Sequence, residues 1–333
     1  MNNFDYLSIT TSDEAVGKST YIAGGTNLID LLKYNLRKDE RLIDINGILE
    51  LDIIKTISEG IRIGATATNA DTAYHPLISQ HYPILTKAIL AGASAQIRNM
   101  ATNGGNLMQR TRCYYFYDSN APCNKRNPGS GCSAITGYNR NMAILGTSEN
   151  CIAVFPSDMC VALAALGATV NLLGIDGERK IAFADFHRLP GDTPEVDNNL
   201  KPGELITGIE LPKKGFSEYY SYLKLRDRSS HAFAMVSVAS LLELDEQGMI
   251  SDARIALGGV AHKPWRITAA EESLRHKAPN RENFAAAAEL ILAGAKGFGD
   301  NTFKIGLAKK AVVRNCLMAL EPKLQLPGAK PSA

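Results

Sequence analysis

The chain has 333 residues, 45% of them hydrophobic and 21% charged, enough apolar content to bury a sizeable core divided over two or three compact units. The formal net charge of +2 comes from interspersed acidic and basic residues, which excludes the electrostatic footprint of a nucleic-acid binder. Residues 1–14 carry neither a basic n-region nor an apolar h-region, so no secretory or transit signal is expected there.

Thr11 and Glu14 form a capping box that opens a short helix. Residues 19–23 then read as a strand running into Gly24-Gly25-Thr26-Asn27, 28–36 as a helix, 41–46 as a strand, and 53–65 as a hairpin turning at Glu59-Gly60. These make a small α/β unit. Residues 69–93 are helical, with Ile84, Leu85, Ala88 and Ile89 on one apolar face after Pro83. Residues 99–143, rich in Gly, Asn, Pro, Arg and Cys, show no periodicity, so something other than a hydrophobic core is expected to hold them.

Regularity returns with a strand at 152–155, a helix at 156–166 and a hairpin at 168–183 turning at Asp176-Gly177. The most apolar run, 159–175, is broken by Gly167, Thr169 and Asn171, so it reads as helix then strand, with no membrane span. A loop at 190–194, a strand at 204–211 and a boundary at 212–215 lead into a three-stranded antiparallel meander over 219–259, turning near Gln247-Gly248. Helices at 281–295 and 302–320 precede a polar tail, expected to fray.

Cys113, Cys123, Cys132 and Cys151 follow the spacing C-x9-C-x8-C-x18-C, the first three inside the irregular stretch and Cys151 just after it. Structural zinc sites use tighter paired hooks, whereas an iron-sulfur cluster needs four converging thiolates, which a long loop can supply. Arg110, Arg112, Lys125 and Arg126 place positive charge nearby, and Gly129, Ser130 and Gly131 can offer N–H groups to sulfur. The competing reading is four plain thiols or two disulfides, which need an oxidising compartment. Cys160 and Cys316 fall on helices among apolar neighbours and read as buried hydrophobes.

Neither G-x-G-x-x-G nor a Walker loop occurs. The strand-loop-helix Ile22-Ala23-Gly24-Gly25-Thr26-Asn27-Leu28 nevertheless has the parts of an anion cradle, with glycines for close approach and donors from Thr26 and Asn27. Ile97-Arg98-Asn99-Met100-Ala101-Thr102-Asn103-Gly104-Gly105-Asn106 offers donors around a second glycine pair. Each segment alone also reads as a tight turn.

Taken together, the segments resemble the FAD-binding subunits of the xanthine dehydrogenase and molybdenum hydroxylase family over nearly the whole chain. The stretch 110–132, carrying three of the four cysteines, is similar to the bacterial aldehyde oxidoreductase branch with an extra 4Fe-4S cluster, and Ala261-His262-Lys263-Pro264-Trp265-Arg266 fits that branch too.

The resemblance implies an α+β fold: a two-part FAD-binding domain of the xanthine dehydrogenase/vanillyl-alcohol oxidase type over 1–212, with subdomains 1–52 and 53–212 and a 4Fe-4S loop at 107–152. A CO dehydrogenase flavoprotein-type α/β domain over 216–325 and a tail at 326–333 would follow. It implies FAD contacts from Ile22, Ala23, Gly24, Gly25, Thr26, Asn27 and Leu28 in the first loop and from Arg98, Thr102, Gly104, Gly105 and Asn106 in the second. Asp158, Ile206 and Lys224 complete the set. Cys113, Cys123, Cys132 and Cys151 would hold one 4Fe-4S cluster.

The implied role is electron transfer through FAD to an external acceptor in a heterotrimer with a 2Fe-2S subunit and a molybdopterin subunit that oxidises the aldehyde. The compartment would be cytoplasmic, or periplasmic by co-export with a signal-bearing partner. The alternatives are a subunit of a hydroxybenzoyl-CoA-reductase-like enzyme, whose cysteine loop is spaced differently, and a stand-alone flavin oxidase with a structural zinc site on the four cysteines.

Overall fold

A computed structural model describes residues 2–18, 20–229 and 231–325; the expected tail lies outside them. Three sheets divide the chain. The first is parallel and small: β1 (Asp5–Ser8), β2 (Tyr21–Ile22) and β3 (Arg41–Asp44) in the order β1-β3-β2. The capping box forms, with Thr11 accepting from the Glu14 N–H and the Glu14 carboxylate accepting from the Thr10 N–H at 3.0 Å.

The second sheet is antiparallel, built from β4 (Ile54–Ile57), β5 (Gly60–Gly64), β6 (Thr169–Gly174), β7 (Gly177–Ala182) and β8 (Leu205–Pro212) in the order β4-β5-β8-β6-β7. The third, β9 (Tyr219–Leu225), β10 (Val236–Leu244), β11 (Ile250–Gly258) and β12 (Trp265–Arg266), is the expected meander with one short strand added. The helices Arg281–Ile291 and Phe303–Ala319 share one apolar core with it.

Between the second and third sheets lies the helix Asp158–Leu166, buried at every position. Ser157 caps its start by accepting the Cys160 N–H at 3.1 Å, and Gly167 ends it in the left-handed region at φ +69°, the conformation a helix stop of this kind favours in glycine. Its core joins Ala239, Leu241 and Ala256 of the carboxyl-terminal sheet to Ile61, Ile63 and Ile209 of the middle one. Apolar burial therefore runs continuously across the boundary near residue 215.

Some expectations are corrected. Residues 152–155 are extended but form no strand, because their backbone bonds go to separate segments: the Ile152 carbonyl accepts from Ala143 N–H and the Phe155 N–H donates to Ala261. The helical stretch 69–93 is three helices, Asn69–Tyr74, Pro76–His81 and Pro83–Ala91, each break falling before a proline. Among the described residues no helix is long and apolar enough to cross a membrane.

Candidate flavin groove and cysteine cage

The two glycine loops pack against each other. A side chain on Gly24 would overlap the Met100 carbonyl, so this glycine is required by loop-to-loop contact. Gly104 similarly abuts Ala65 at 3.2 Å. Gly105 is different: a Cβ there would meet only the Thr102 hydroxyl at 3.0 Å. Gly25 adopts φ +67°, where a side chain is strained whatever the space.

Three cavities run together past these loops. One of about 520 Å³ is lined by the whole first loop, from Ile22 to Leu28, with Ile206, Thr102, Gly104 and Gly105. A second, of about 250 Å³, takes in Arg98, Asn106, Asp158 and Lys224, and meets the first at Thr26, Asn27 and Gly105. A third, of about 630 Å³, continues from Ser157 and Asp158 to Cys113. Every residue expected to touch FAD thus lies along one groove.

The donors are held in two ways. Asn27 accepts the Arg110 N–H at 2.9 Å on Oδ1, while its Nδ2 is buried without a partner. A buried amide donor left open costs about 1–3 kcal/mol, so this atom, at the waist of the groove, fits an acceptor oxygen of a bound anion. Asn106 is instead engaged by the protein: its Oδ1 accepts from Ser157 at 2.6 Å and Gln109 at 2.7 Å, and its Nδ2 donates to Asn69 at 2.7 Å. Arg98 donates to the Gly92 carbonyl at 2.7 Å, and the Thr102 hydroxyl caps its helix by accepting the Gly105 N–H at 3.3 Å.

Asp158 and Lys224 form a buried ion pair, Oδ2 to Nζ 2.8 Å, with side chains 8% and 5% exposed. The Tyr222 hydroxyl donates to the other carboxylate oxygen at 2.6 Å, and Lys224 also donates to the Ala91 carbonyl at 3.0 Å. Burial first, and then Asp158, push the Tyr222 hydroxyl well above its usual range. Sequence reasoning singled out Asp158 and Lys224 but not that they bond each other, nor Tyr222, whose alternation along β9 marks only a sheet face.

Thr111, Tyr115, Asn124, Lys125 and the four expected cysteines surround one small cavity of about 10 Å³. All four thiols are free, three buried and Cys132 half-buried. Cys123 and Cys132 face each other in an isolated antiparallel bridge, and Cys151 bridges back to Ser148. Burial pushes Cys113 up to about 11 and Cys151 up to about 12, so these two thiols are protonated in this form. A metal would displace those protons.

Among the described residues, no group of three His, Cys, Asp or Glu side chains is arranged to hold a single metal ion. A zinc tetrahedron needs its sulfurs within about 3.8 Å of one another, from Zn–S bonds near 2.3 Å. The donor set, four thiols around one closed space, is of the kind an iron-sulfur cluster takes.

The surroundings differ from expectation. The Ser130 and Gly131 N–H groups donate to Asn127 and Asn124 instead of facing sulfur. The Ala153 N–H donates to the Cys151 sulfur at 3.4 Å, and the Phe116 and Tyr115 N–H groups draw Cys113 downward against burial. Cys160 and Cys316 are fully buried in helices. Arg126 is occupied by the Tyr115, Phe116 and Ala121 carbonyls.

Arg110 and Lys125 converge on Asp197, Arg110 at 2.6 Å. Burial alone would raise the Asp197 carboxyl, but Lys125, Arg110 and His262 outweigh it and hold it low. Asp197 sits in a loop with no motif around it, which is why the sequence did not disclose it.

Residues 5–214 match the FAD binding domain of molybdopterin dehydrogenases, and 219–318 the carboxyl-terminal domain of CO dehydrogenase flavoproteins. The chain is 47% identical over 320 residues to the aldehyde oxidoreductase FAD-binding subunit of Escherichia coli K12, covering 94% of this chain and 96% of that one. It is 30% identical over 260 residues to the glyceraldehyde dehydrogenase medium chain of Sulfolobus acidocaldarius, covering 78% and 74%. A solved CO dehydrogenase of Hydrogenophaga pseudoflava superposes with a TM-score of 0.74 at 25% identity, covering 97% of this chain and 98% of that one.

Proposed function

The chain belongs to the FAD-binding subunits of the molybdenum aldehyde oxidoreductase family, and from that membership we propose that it holds FAD along the groove and a 4Fe-4S cluster on Cys113, Cys123, Cys132 and Cys151. It acts as the electron-transfer subunit of a heterotrimer, with a 2Fe-2S subunit and a molybdopterin subunit as partners and aldehyde oxidation in the latter. When bound, FAD supplies the exchange between one-electron and two-electron chemistry.

The chain's own residues bind and orient. Thr26, Asn27 and Gly105 form the waist of the groove, with Asn27 Nδ2 the open donor. Ser157 and Asn69 lock the second loop through Asn106. The observation that carries the reading is that the four cysteines, spaced along one irregular loop, line one cavity, and that Thr111 and Cys113 line both it and the space continuing from the groove. Cage and groove are therefore neighbours, as electron transfer between their contents requires.

Metal and sulfide analysis of the purified chain tests this. About four irons and four acid-labile sulfides per FAD are expected, against zinc without sulfide if the cage is structural. Cys113→Ser, Cys123→Ser, Cys132→Ser and Cys151→Ser should each lose iron and sulfide, while Cys160→Ser keeps them. Retention of the cluster by Cys151→Ser and its loss from Cys160→Ser would overturn the ligand assignment.

A further inference from the structure

Five cations stand in the cysteine loop, and four are directed elsewhere. Arg140 pairs with Asp227 at 2.9 Å. Arg110 binds Asp197 and the Glu195 carbonyl. Arg112 donates to the Arg110 carbonyl at 2.9 Å and to the Tyr117 hydroxyl at 3.2 Å. Arg126 is spread over backbone carbonyls. Among the described residues, Lys125 is the one cation lining the cysteine cavity, with its side chain only 1% exposed.

Its ammonium has three N–H donors, and three acceptors meet it: the Pro194 carbonyl at 2.7 Å, the Asp197 carboxylate, and His262 Nε2 at 2.7 Å. Burial and then Lys125 itself push His262 down to about 4, so its ring is neutral. Nε2 accepts, and Nδ1–H donates to the Arg188 carbonyl at 2.8 Å. With every donor used, Lys125 cannot also donate to sulfur. What it gives the cage is fixed positive charge, and two cations share the Asp197 carboxylate, which leaves that charge only partly offset.

We propose that Lys125, pinned by Asp197 and His262, is a positioning residue that sets the reduction potential of the cluster through space by stabilising its more negative, reduced form. The proposal rests on the 4Fe-4S reading above. Lys125 lines the cysteine cavity, and a buried charge acts at low effective dielectric, where screening is weak.

The test is a redox titration of the full chain carrying both cofactors, following the cluster by EPR and the flavin by absorbance. Lys125→Met should lower the cluster midpoint, leave the flavin midpoint unchanged and keep full iron and sulfide; Lys125→Arg should return the cluster midpoint towards wild type. A wild-type cluster midpoint in a fully loaded Lys125→Met protein overturns the proposal. Should Lys125→Met fail to assemble the cluster, Lys125→Gln and Lys125→Arg decide: loss in Gln with retention in Arg supports the need for charge, and loss in both overturns it as mere packing. Absence of iron from the wild-type chain would instead reject the 4Fe-4S reading itself.

Discussion

Four glycines lie in the two loops, and the space beside each decides what a substitution would do. Gly24 faces the Met100 carbonyl and Gly104 faces Ala65, so enlarging either forces packed backbone apart. Gly105 faces only the Thr102 hydroxyl and then the groove. Gly105→Leu should therefore leave stability within about 1 kcal/mol, since leucine is the better helix former and no buried partner is lost. Its cost falls on the ligand, because the side chain occupies the waist of the groove. Flavin content after gel filtration should fall at least tenfold while iron and sulfide stay at wild-type levels. Equal loss of both cofactors would show general misfolding and remove Gly105 from the site.

At the scale of elements, the helix Asp158–Leu166 and β9 meet through the Asp158–Lys224 pair, and each partner also bonds a neighbour, Tyr222 or Ala91. Removing one partner strands a buried charge, which costs about 3–5 kcal/mol, whereas replacing both with apolar residues of similar size is often neutral. Urea denaturation should thus find Asp158→Leu strongly destabilised and Asp158→Leu with Lys224→Met restored close to wild type. A structural brace recovers in the double variant; flavin binding, if it uses either charge, does not. Elements such as these were legible where pattern and punctuation agree. The hairpins at Glu59-Gly60 and Asp176-Gly177, the meander turning near Gly248 and the helix ended by Gly167 all carry period and stop signals. β1 was not seen, because all four of its residues are exposed and show no alternation. The groove was legible as two glycine loops and the cage as a cysteine spacing. The partners that fix their side chains, Asn69, Tyr222 and Asp197, come from distant segments with no local signature, so only the folded chain brings them in.

The whole molecule is organised around the cysteine-bearing segment, which belongs by sequence to the amino-terminal unit but is tied along its exit to the carboxyl-terminal one. Asn139 donates to the Phe298 carbonyl at 2.7 Å, Asn301 to the Ala143 carbonyl at 3.0 Å, and the Ile144 and Leu145 N–H groups to Val260. At the centre is Lys304, fully buried, donating to the Met142 carbonyl at 2.8 Å and the Gly259 carbonyl at 2.5 Å. Burial and then Arg140 push its amine down to about 7, the mark of a lysine held by carbonyls without a carboxylate. Lys304→Met keeps the apolar stem and removes the donor, stranding carbonyls at about 1–3 kcal/mol each. The loss should be about 2–4 kcal/mol on that basis, and it should not be shared evenly. The cage wall leaving at residues 139–143 loosens first, whereas the flavin groove keeps its own locks at Asn106, Ser157 and Asp158. In urea, wild-type protein should lose flavin fluorescence quenching and the absorbance of the proposed cluster together, and Lys304→Met should bleach that cluster at lower denaturant than it releases flavin. Coincident transitions in the variant would mean that the cysteine segment is held by its own unit and that the ties to the carboxyl-terminal one carry little of its stability.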